Sequence, residues 1–295
     1  MPTLLAPAKI NVTLEVLARR EDGYHSLRSV MLPLGLYDRI DIEPAERPAF
    51  ESSDPALAGD NIVVHALERC GLGECFSVRL HKRIPVGGGL GGGSSDAAAI
   101  LRAAMDGRLG PHDERDWIDV ARRLGSDVPF FLAGTGALVE GTGDRVTPLG
   151  SLPPWWVVVV RPHASVPTAD AYARLDAVRA GPGNVAGRPR ATSASLAAVD
   201  ALQRRDFGAL EALLTNDFHD VILAAYPGIA RASAAMTSAG ASRSLLSGSG
   251  SCLFALFEDE AAARAVAAAL EPAAIERCFT VPFHLDPAWT SPSPV

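Results

Sequence analysis

Six of the ten residues from 87 to 96 are glycine, within the run Pro85-Val86-Gly87-Gly88-Gly89-Leu90-Gly91-Gly92-Gly93-Ser94-Ser95-Asp96. Upstream, Phe76, Val78 and Leu80 alternate with polar residues, the period of a strand. Downstream, Ala97, Ile100, Leu101 and Ala104 recur at helical spacing, and Ser94, Ser95 and Asp96 are residue types that cap a helix N-terminus. The pattern predicts a strand running into a glycine loop that opens a helix. Such a junction gathers backbone N–H groups and the positive end of the helix dipole at one point, which suits a phosphate group. Glycine permits the close approach and the positive φ that this geometry needs.

Three other readings compete. A flexible linker is not usually flanked so tightly by periodic elements. Gly87-x-Gly89-x-x-Gly92 matches a dinucleotide fingerprint, but that motif wants a βαβ unit with an acidic residue about 20 residues on. Here the helix leads into Gly107-Arg108-Leu109-Gly110-Pro111 and then another helix. A Walker loop needs Gly-Lys-Ser/Thr, and the run holds no lysine. What remains is a loop that holds a nucleotide phosphate by backbone alone.

Around this junction strands and helices are interspersed without regular βα alternation, so both halves of the chain read as α+β. Ile10, Val12, Leu14 and Val16 alternate with polar residues as a half-buried strand, and residues 27–34 and 40–42 read as two further strands. Residues 61–70 and 117–124 have helical spacing, and 137–140 with 145–149 form a predicted hairpin. Pro153-Pro154 marks the domain boundary, giving an N-terminal domain 1–153, a C-terminal domain 154–286 and a frayed tail 287–295. In the second half the apolar run 155–160 reads as a strand buried on both faces. Helices follow over 169–178, 195–203, 207–214, 217–225, 228–239 and 261–270, with strands at 243–246, 252–257 and 279–285. The stretch 179–190, rich in glycine, proline and arginine, reads as a mobile loop.

Charge and cysteine usage narrow the partners. A net charge of -7 argues against a general nucleic-acid or membrane surface, while leaving room for a local pocket that holds a polyanionic small molecule. Cys70, Cys75, Cys252 and Cys278 form no CxxC pair and lie near no histidine at a zinc-ligand spacing. They read as reduced, mostly buried thiols of a cytosolic protein. The start of the chain lacks the features of a signal peptide, and no apolar run approaches the ~20 residues of a membrane span. The expectation is a cytoplasmic protein.

Four short stretches besides the glycine loop could carry chemistry. In Pro7-Ala8-Lys9-Ile10-Asn11, Lys9 and Asn11 share a strand face opposite Ile10 and Val12; the bland alternative is a solvated edge lysine. Asp22-Gly23-Tyr24-His25 sets an aromatic and a histidine on a turn, and a plain turn is the alternative. In Gly125-Ser126-Asp127-Val128-Pro129-Phe130-Phe131 a carboxylate stands at the mouth of an apolar patch, or caps a helix before Pro129. Gly248-Ser249-Gly250-Ser251 is a glycine turn between two strands, or a simple hairpin loop.

Taken together and in this order, these stretches resemble the GHMP kinase superfamily (galacto-, homoserine, mevalonate and phosphomevalonate kinases). Its three motifs correspond here to residues 7–11, 85–98 and 247–252. Within it, the four stretches Pro7 to Asn11, Asp22 to His25, the glycine-serine loop and Asp127 to Phe131 are most similar to the branch acting in the non-mevalonate route to isoprenoid precursors. The resemblance implies a two-domain fold with an N-terminal ATP-binding α+β domain, a C-terminal ferredoxin-like α+β domain and the active site in the cleft between them. It implies transfer of the γ-phosphoryl of ATP to a hydroxyl of a methylerythritol moiety carried on a cytidine diphosphate, both small-molecule partners. Lys9 and Asp127 take the catalytic positions. Pro85, Gly87, Gly88, Gly89, Leu90, Gly91, Gly92, Gly93, Ser94 and Ser95 take those of the nucleotide loop. Asn11 and Thr168 fall in the methylerythritol pocket; Tyr24 stacks on cytosine, His25 bonds its edge, and Tyr172 forms a second aromatic wall. Asn61 is an adenine candidate, with helix capping as its alternative. Mg2+ is expected with ATP. Some members hold it through a loop serine and a glutamate; Ser94 or Ser95 matches the serine, and no glutamate matches. Two alternatives stay open: another GHMP small-molecule kinase of homoserine or mevalonate type, and a non-catalytic nucleotide-binding sensor on the same fold.

Overall fold

The alternating N-terminal residues build a strand pair longer than their periodicity suggests. In a computed structural model, which describes residues 3–110, 115–181, 192–283, 285 and 289, β1 spans Thr3–Arg19 and β2 spans His25–Pro44. The two strands predicted at 27–34 and 40–42 are one. Gly35 and Leu36 are accommodated as a bulge, because the register moves from Pro7↔Tyr37 to Ala8↔Leu34, and a bulge bends a strand without ending it.

Around this pair lie β3 (Phe50–Ser52), α1 (Ile62–Arg69), β4 (Phe76–His81), α2 (Gly92–Met105), α3 (Trp117–Leu124), α4 (Val128–Leu132), β5 (Ala137–Gly141) and β6 (Arg145–Pro148). The second half contributes β7 (Trp156–Arg161), α5 (Thr168–Ala180), α6 (Ala194–Gln203), α7 (Phe207–Leu213), β8 (Thr215–Asn216), α8 (His219–Ala225) and α9 (Pro227–Ser238). It closes with β9 (Leu245–Leu246), β10 (Leu253–Phe257), α10 (Glu260–Ala269) and β11 (Arg277–Pro282).

Two sheets result. One has seven strands in the order β3-β4-β2-β1-β8, with β5 on the N-terminal half of β2 and β6 beyond it. The other is the antiparallel order β11-β7-β10-β9, which is the 4-1-3-2 order of a ferredoxin-like unit. The fold is thus α+β in both halves. Helices α1 to α4 cover one face of the larger sheet, burying Ile100, Leu101, Phe130 and Phe131. The opposite face, with Ile10, Val12, Leu32 and Leu34, packs on Val157, Val159, Phe254 and Leu256 of the smaller sheet. The apolar run of β7 is buried on both faces because its alternate valines enter two different cores.

Four local expectations need correction. Thr215 and Asn216, left between two predicted helices, form β8 and pair parallel with β1, so a strand from the second half joins the first sheet. Arg179 continues α5 instead of opening a loop; its guanidinium is held by Asp217 Oδ2 and Val16 O, both at 2.9 Å. The rest of that loop, residues 182–190, lies outside the described residues. Trp289 is buried rather than frayed, with the Arg102 guanidinium 4.5 Å over its ring and Arg102 Nη2 donating to its carbonyl. Finally, the glycine loop enters its helix three residues early, as set out below.

Candidate active site

Helix α2 begins at Gly92, and Gly91, at φ +70°, occupies its N-cap with no side-chain bond to the first turn. The capping role expected of Ser94, Ser95 and Asp96 is therefore not what they do: all three lie inside the helix, past its cap. A glycine N-cap leaves the leading amides free of side-chain partners, as a backbone phosphate cradle requires. Asp96 turns inward to Lys82, whose Nζ bonds Asp96 Oδ2 at 2.7 Å and Asp38 Oδ2 at 2.5 Å. The other Asp38 oxygen accepts from the Arg83 and Ile84 amides, which braces the entry to the loop. Burial, helped by the Asp38 carboxylate, pushes the Asp96 carboxyl up to about 8 against the pull of Lys82. Burial would lower the Lys82 ammonium, and Asp96 and Asp38 outweigh it and raise it. Ser95 Oγ is fully buried with no hydrogen-bond partner.

Two segments far apart in sequence, the N-terminal strand and the late glycine turn, meet this loop. Lys9 N donates to Leu90 O at 2.9 Å, Ser247 Oγ to Gly89 O at 3.0 Å, and Cys252 N to Gly88 O at 3.0 Å. The fit leaves no room for side chains. A Cβ at Gly89 would enter the Ser247 carbonyl oxygen, and one at Gly91 would lie 3.0 Å from both Lys9 Cγ and the Phe131 ring. A Cβ at Gly248 would be 3.5 Å from Lys9 Nζ.

The Lys9 ammonium therefore sits where the N-terminal strand, the glycine loop and the late glycine turn converge. It is buried rather than a solvated edge charge, and donates to Asn11 Oδ1 at 2.7 Å. Asp127 Oδ2 lies 3.5 Å away, its side chain one-third exposed. Asp127 does precede α4 at the cap position, yet its carboxylate caps nothing. The buried rings of Phe130 and Phe131 explain the placement: they anchor α4 and leave the aspartate at its rim.

Beside Asp127 opens a cavity of about 1250 Å3, lined from the first half by Tyr24, His25 and Pro129 and from the second by Thr168, Tyr172 and Asp176. It brings together Tyr24, His25, Thr168 and Tyr172 of the expected substrate residues, while Asn11 lies outside its lining. Tyr172 stacks on His25, centroids 5.2 Å apart at 23°, and makes an edge-to-face contact with Phe218. Tyr24 stands at the rim, 70% exposed. His25 Nε2 is held 2.9 Å from Asp176 Oδ1. Burial, with Asp127 and Asp176 nearby, raises the Tyr172 phenol. Thr168 Oγ1 lies 3.1 Å from Ser249 Oγ, tying the first turn of α5 to the glycine turn.

Asn61 takes its bland reading. Its Oδ1 accepts from Val63 N as the cap of α1 and its Nδ2 donates to Leu57 O. The neighbouring Ile62 does lie against the loop, 3.7 Å from where a Gly93 Cβ would be. Sequence reasoning missed Asp176, Lys82 and Ser29. Asp176 had a signal, since Thr168, Tyr172 and Asp176 at four-residue spacing share one face of α5. Among the described residues no three His, Cys, Asp or Glu side chains come together to hold a metal ion. No helix among them is long and apolar enough to cross a membrane.

Two family models match the chain: the GHMP kinases N terminal domain over residues 61–135 and the GHMP kinases C terminal over residues 198–276. A curated relative from Symbiobacterium thermophilum, 4-diphosphocytidyl-2-C-methyl-D-erythritol kinase, is 40% identical over 270 residues, covering 86% of this chain and 90% of its own. A crystal structure of 4-(cytidine 5'-diphospho)-2C-methyl-D-erythritol kinase is similar with a TM-score of 0.77 and 37% identity, over 95% of this chain and 98% of that one. The L. major mevalonate kinase, solved with R-mevalonate, superposes with a TM-score of 0.73 over 96% of this chain and 95% of its own. At 16% identity that likeness speaks to the fold alone.

Proposed function

The chain belongs to the 4-diphosphocytidyl-2-C-methyl-D-erythritol kinase family of the GHMP kinases, and we propose that Lys9 and Asp127 carry its phosphoryl transfer from ATP to a hydroxyl of the methylerythritol moiety. The observation that carries this reading is the convergence at Lys9: Asp127 lies 3.5 Å from its Nζ, a Cβ at Gly91 would press on its Cγ at 3.0 Å, and one at Gly248 would stand 3.5 Å from Nζ.

Phosphoryl transfer asks the protein mainly for positioning and charge neutralisation. The uncapped amides at the start of α2 hold the terminal phosphates of ATP. Asp127 orients the substrate alcohol and accepts its proton as the new O–P bond forms and the bond from the γ-phosphorus to the ADP oxygen breaks. Lys9 keeps that carboxylate ionised and offsets charge on the transferred group. Magnesium, where bound with the nucleotide, would offset phosphate charge, and Ser94 or Ser95 of the loop would be the protein groups to hold it. Asn11 and Thr168 border the methylerythritol, and the cytosine is read at Tyr24, His25 and Tyr172. Because His25 and Tyr172 are stacked on each other, the base occupies the space between that pair and Tyr24. The nucleotide diphosphate then crosses the cavity toward Asp127. Residues 1–153 and 154–286 supply the two walls.

A panel of acceptors with ATP tests the reading. The cytidine-diphosphate methylerythritol should accept phosphate, and homoserine and mevalonate should not. Turnover with either of those instead would place the chain with the homoserine- or mevalonate-type kinases, and nucleotide binding without transfer to any acceptor would make it a sensor. The base-reading residues favour the first outcome, since neither of those small acceptors presents a base.

A further inference from the structure

A lysine side chain samples many rotamers when nothing holds it, so the placement of the Lys9 ammonium needs a cause. It lies in a buried run of polar groups along β1. The register of β1 on β2 slips between Asn11 and Thr13, which makes Val12 an extra residue. Bulges re-aim side chains beside active sites. At this one, side-chain hydroxyls enter the strand pairing. Val30 N donates to Thr13 Oγ1 at 2.9 Å, and Ser29 Oγ donates to Thr13 O at 2.6 Å.

The second bond sets a direction. A serine hydroxyl carries one proton, and here the Thr13 carbonyl takes it. Toward Asn11 Nδ2, 2.8 Å away, Ser29 Oγ is therefore an acceptor only. That leaves the Asn11 amide one orientation, nitrogen to Ser29 and Oδ1 to Lys9 Nζ at 2.7 Å. Turned over, the amide would set its N–H groups against the ammonium and its carbonyl oxygen against the Ser29 Oγ lone pairs, losing both bonds. Ser29, Asn11 and Lys9 are all buried, so each of these choices is expensive to reverse.

We propose that Ser29 is a positioning residue for the transfer: it orients the Asn11 amide, which holds the Lys9 ammonium toward Asp127. The proposal rests on the reading of Lys9 and Asp127 given above. The far end of the run is anchored in the second half of the chain. Thr13 Oγ1 donates to Ser195 Oγ at 2.8 Å, and the Glu15 carboxylate accepts from Ser193 Oγ at 2.6 Å and Ser195 N at 3.2 Å at the start of α6. Burial would push the Glu15 carboxyl up, and the Ser193 and Ser195 donors outweigh it and hold it below its ordinary value.

The test is steady-state kinetics of the full chain with ATP and the cytidine-diphosphate substrate, for the parent, Ser29→Ala and Ser29→Thr, with thermal unfolding of each. Ser29→Ala should lower kcat roughly 10- to 100-fold, the scale of a small misplacement in a reacting centre. KM for ATP should stay at the parental value, and Ser29→Thr, which keeps the hydroxyl, should recover most of the turnover. A merely structural role predicts neither the split between kcat and KM nor the rescue. Parental kcat in Ser29→Ala, or a stable Ser29→Thr as slow as Ser29→Ala, overturns the proposal. If Ser29→Ala does not fold, Ser29→Cys carries the same test, because sulfur keeps the volume but accepts only weakly. Lys9→Met separates the two levels. An inactive Lys9→Met beside a fully active Ser29→Ala overturns this proposal alone, whereas a fully active Lys9→Met overturns the reading of the pair as well.

Discussion

Replacing Gly89 by alanine strikes the point where the phosphate loop docks on the late glycine turn. Two costs add. Gly89 sits at φ +75°, a left-handed conformation that costs a residue with a side chain about 1–2 kcal/mol. The new Cβ would also enter the Ser247 carbonyl oxygen and lie 2.9 Å from its carbon and 3.1 Å from Gly250 O. These are backbone atoms that cannot rotate away. Relief requires the loop to leave the turn, which breaks the Ser247 Oγ–Gly89 O and Cys252 N–Gly88 O bonds. Each is worth about 0.5–1.5 kcal/mol net. The sum, about 2–5 kcal/mol, lowers the population of the docked loop by roughly 30-fold to several thousand-fold. The assay is kcat/KM for ATP, with ATP affinity measured separately by calorimetry. Gly87→Ala is the internal control. Its φ of +68° is similar, but a Cβ there meets only Ser165 Oγ, at 3.9 Å. It should show the conformational cost alone, about 1–2 kcal/mol. Equal losses in the two variants, or a Gly89→Ala protein with parental ATP affinity and turnover, would refute the docking account.

Tyr24→Ala removes an exposed ring, so thermal stability should not move, while KM for the cytidine substrate should rise by about one to two decades at unchanged KM for ATP; a rise in the ATP value instead would exchange the two nucleotide sites. Asp96→Asn removes a carboxyl that burial holds protonated up to about 8. Across the window between its ordinary value of 3.8 and about 8 the parent's native state binds the extra proton, so parental stability falls as pH rises and levels off above. The asparagine variant should lack that fall, and urea unfolding across the window should show it gaining on the parent; a constant difference between the two would contradict the assignment.

What could be read from the sequence was local pattern, and what escaped was contact at a distance. Lys9 and Asn11 were legible because alternation along one strand puts them on one face. The glycine loop was legible because a strand period, a glycine run and a helix period adjoin. Asp127 and its two phenylalanines were legible as a carboxylate at an apolar mouth. The length of β2 was not, because Gly35 looks like a stop until β1 is seen to continue opposite it. Ser29 and Ser195 were invisible for a similar reason: a serine acquires its meaning from partners up to 182 positions away. The stacking of His25 on Tyr172 depends on how α5 meets the β1–β2 turn, and no spacing along either segment encodes it. Lys82, between its two aspartates, lies only 14 residues from Asp96, but Asp38 comes from the neighbouring strand.

The most direct test of the account is the turnover of Asp127→Asn. Asparagine keeps the size of the side chain, and the carboxylate caps nothing in α4, so the fold and both substrate affinities should persist. Without a group to take the alcohol proton, kcat should fall by about 10²–10⁴-fold, with the loss in kcat rather than in either KM. A Lys9→Ala, Asp127→Asn double variant should be little worse than either single one, because the two act as a unit. Asp127→Asn at near-parental kcat would contradict the account and leave the pair at the loop a structural contact.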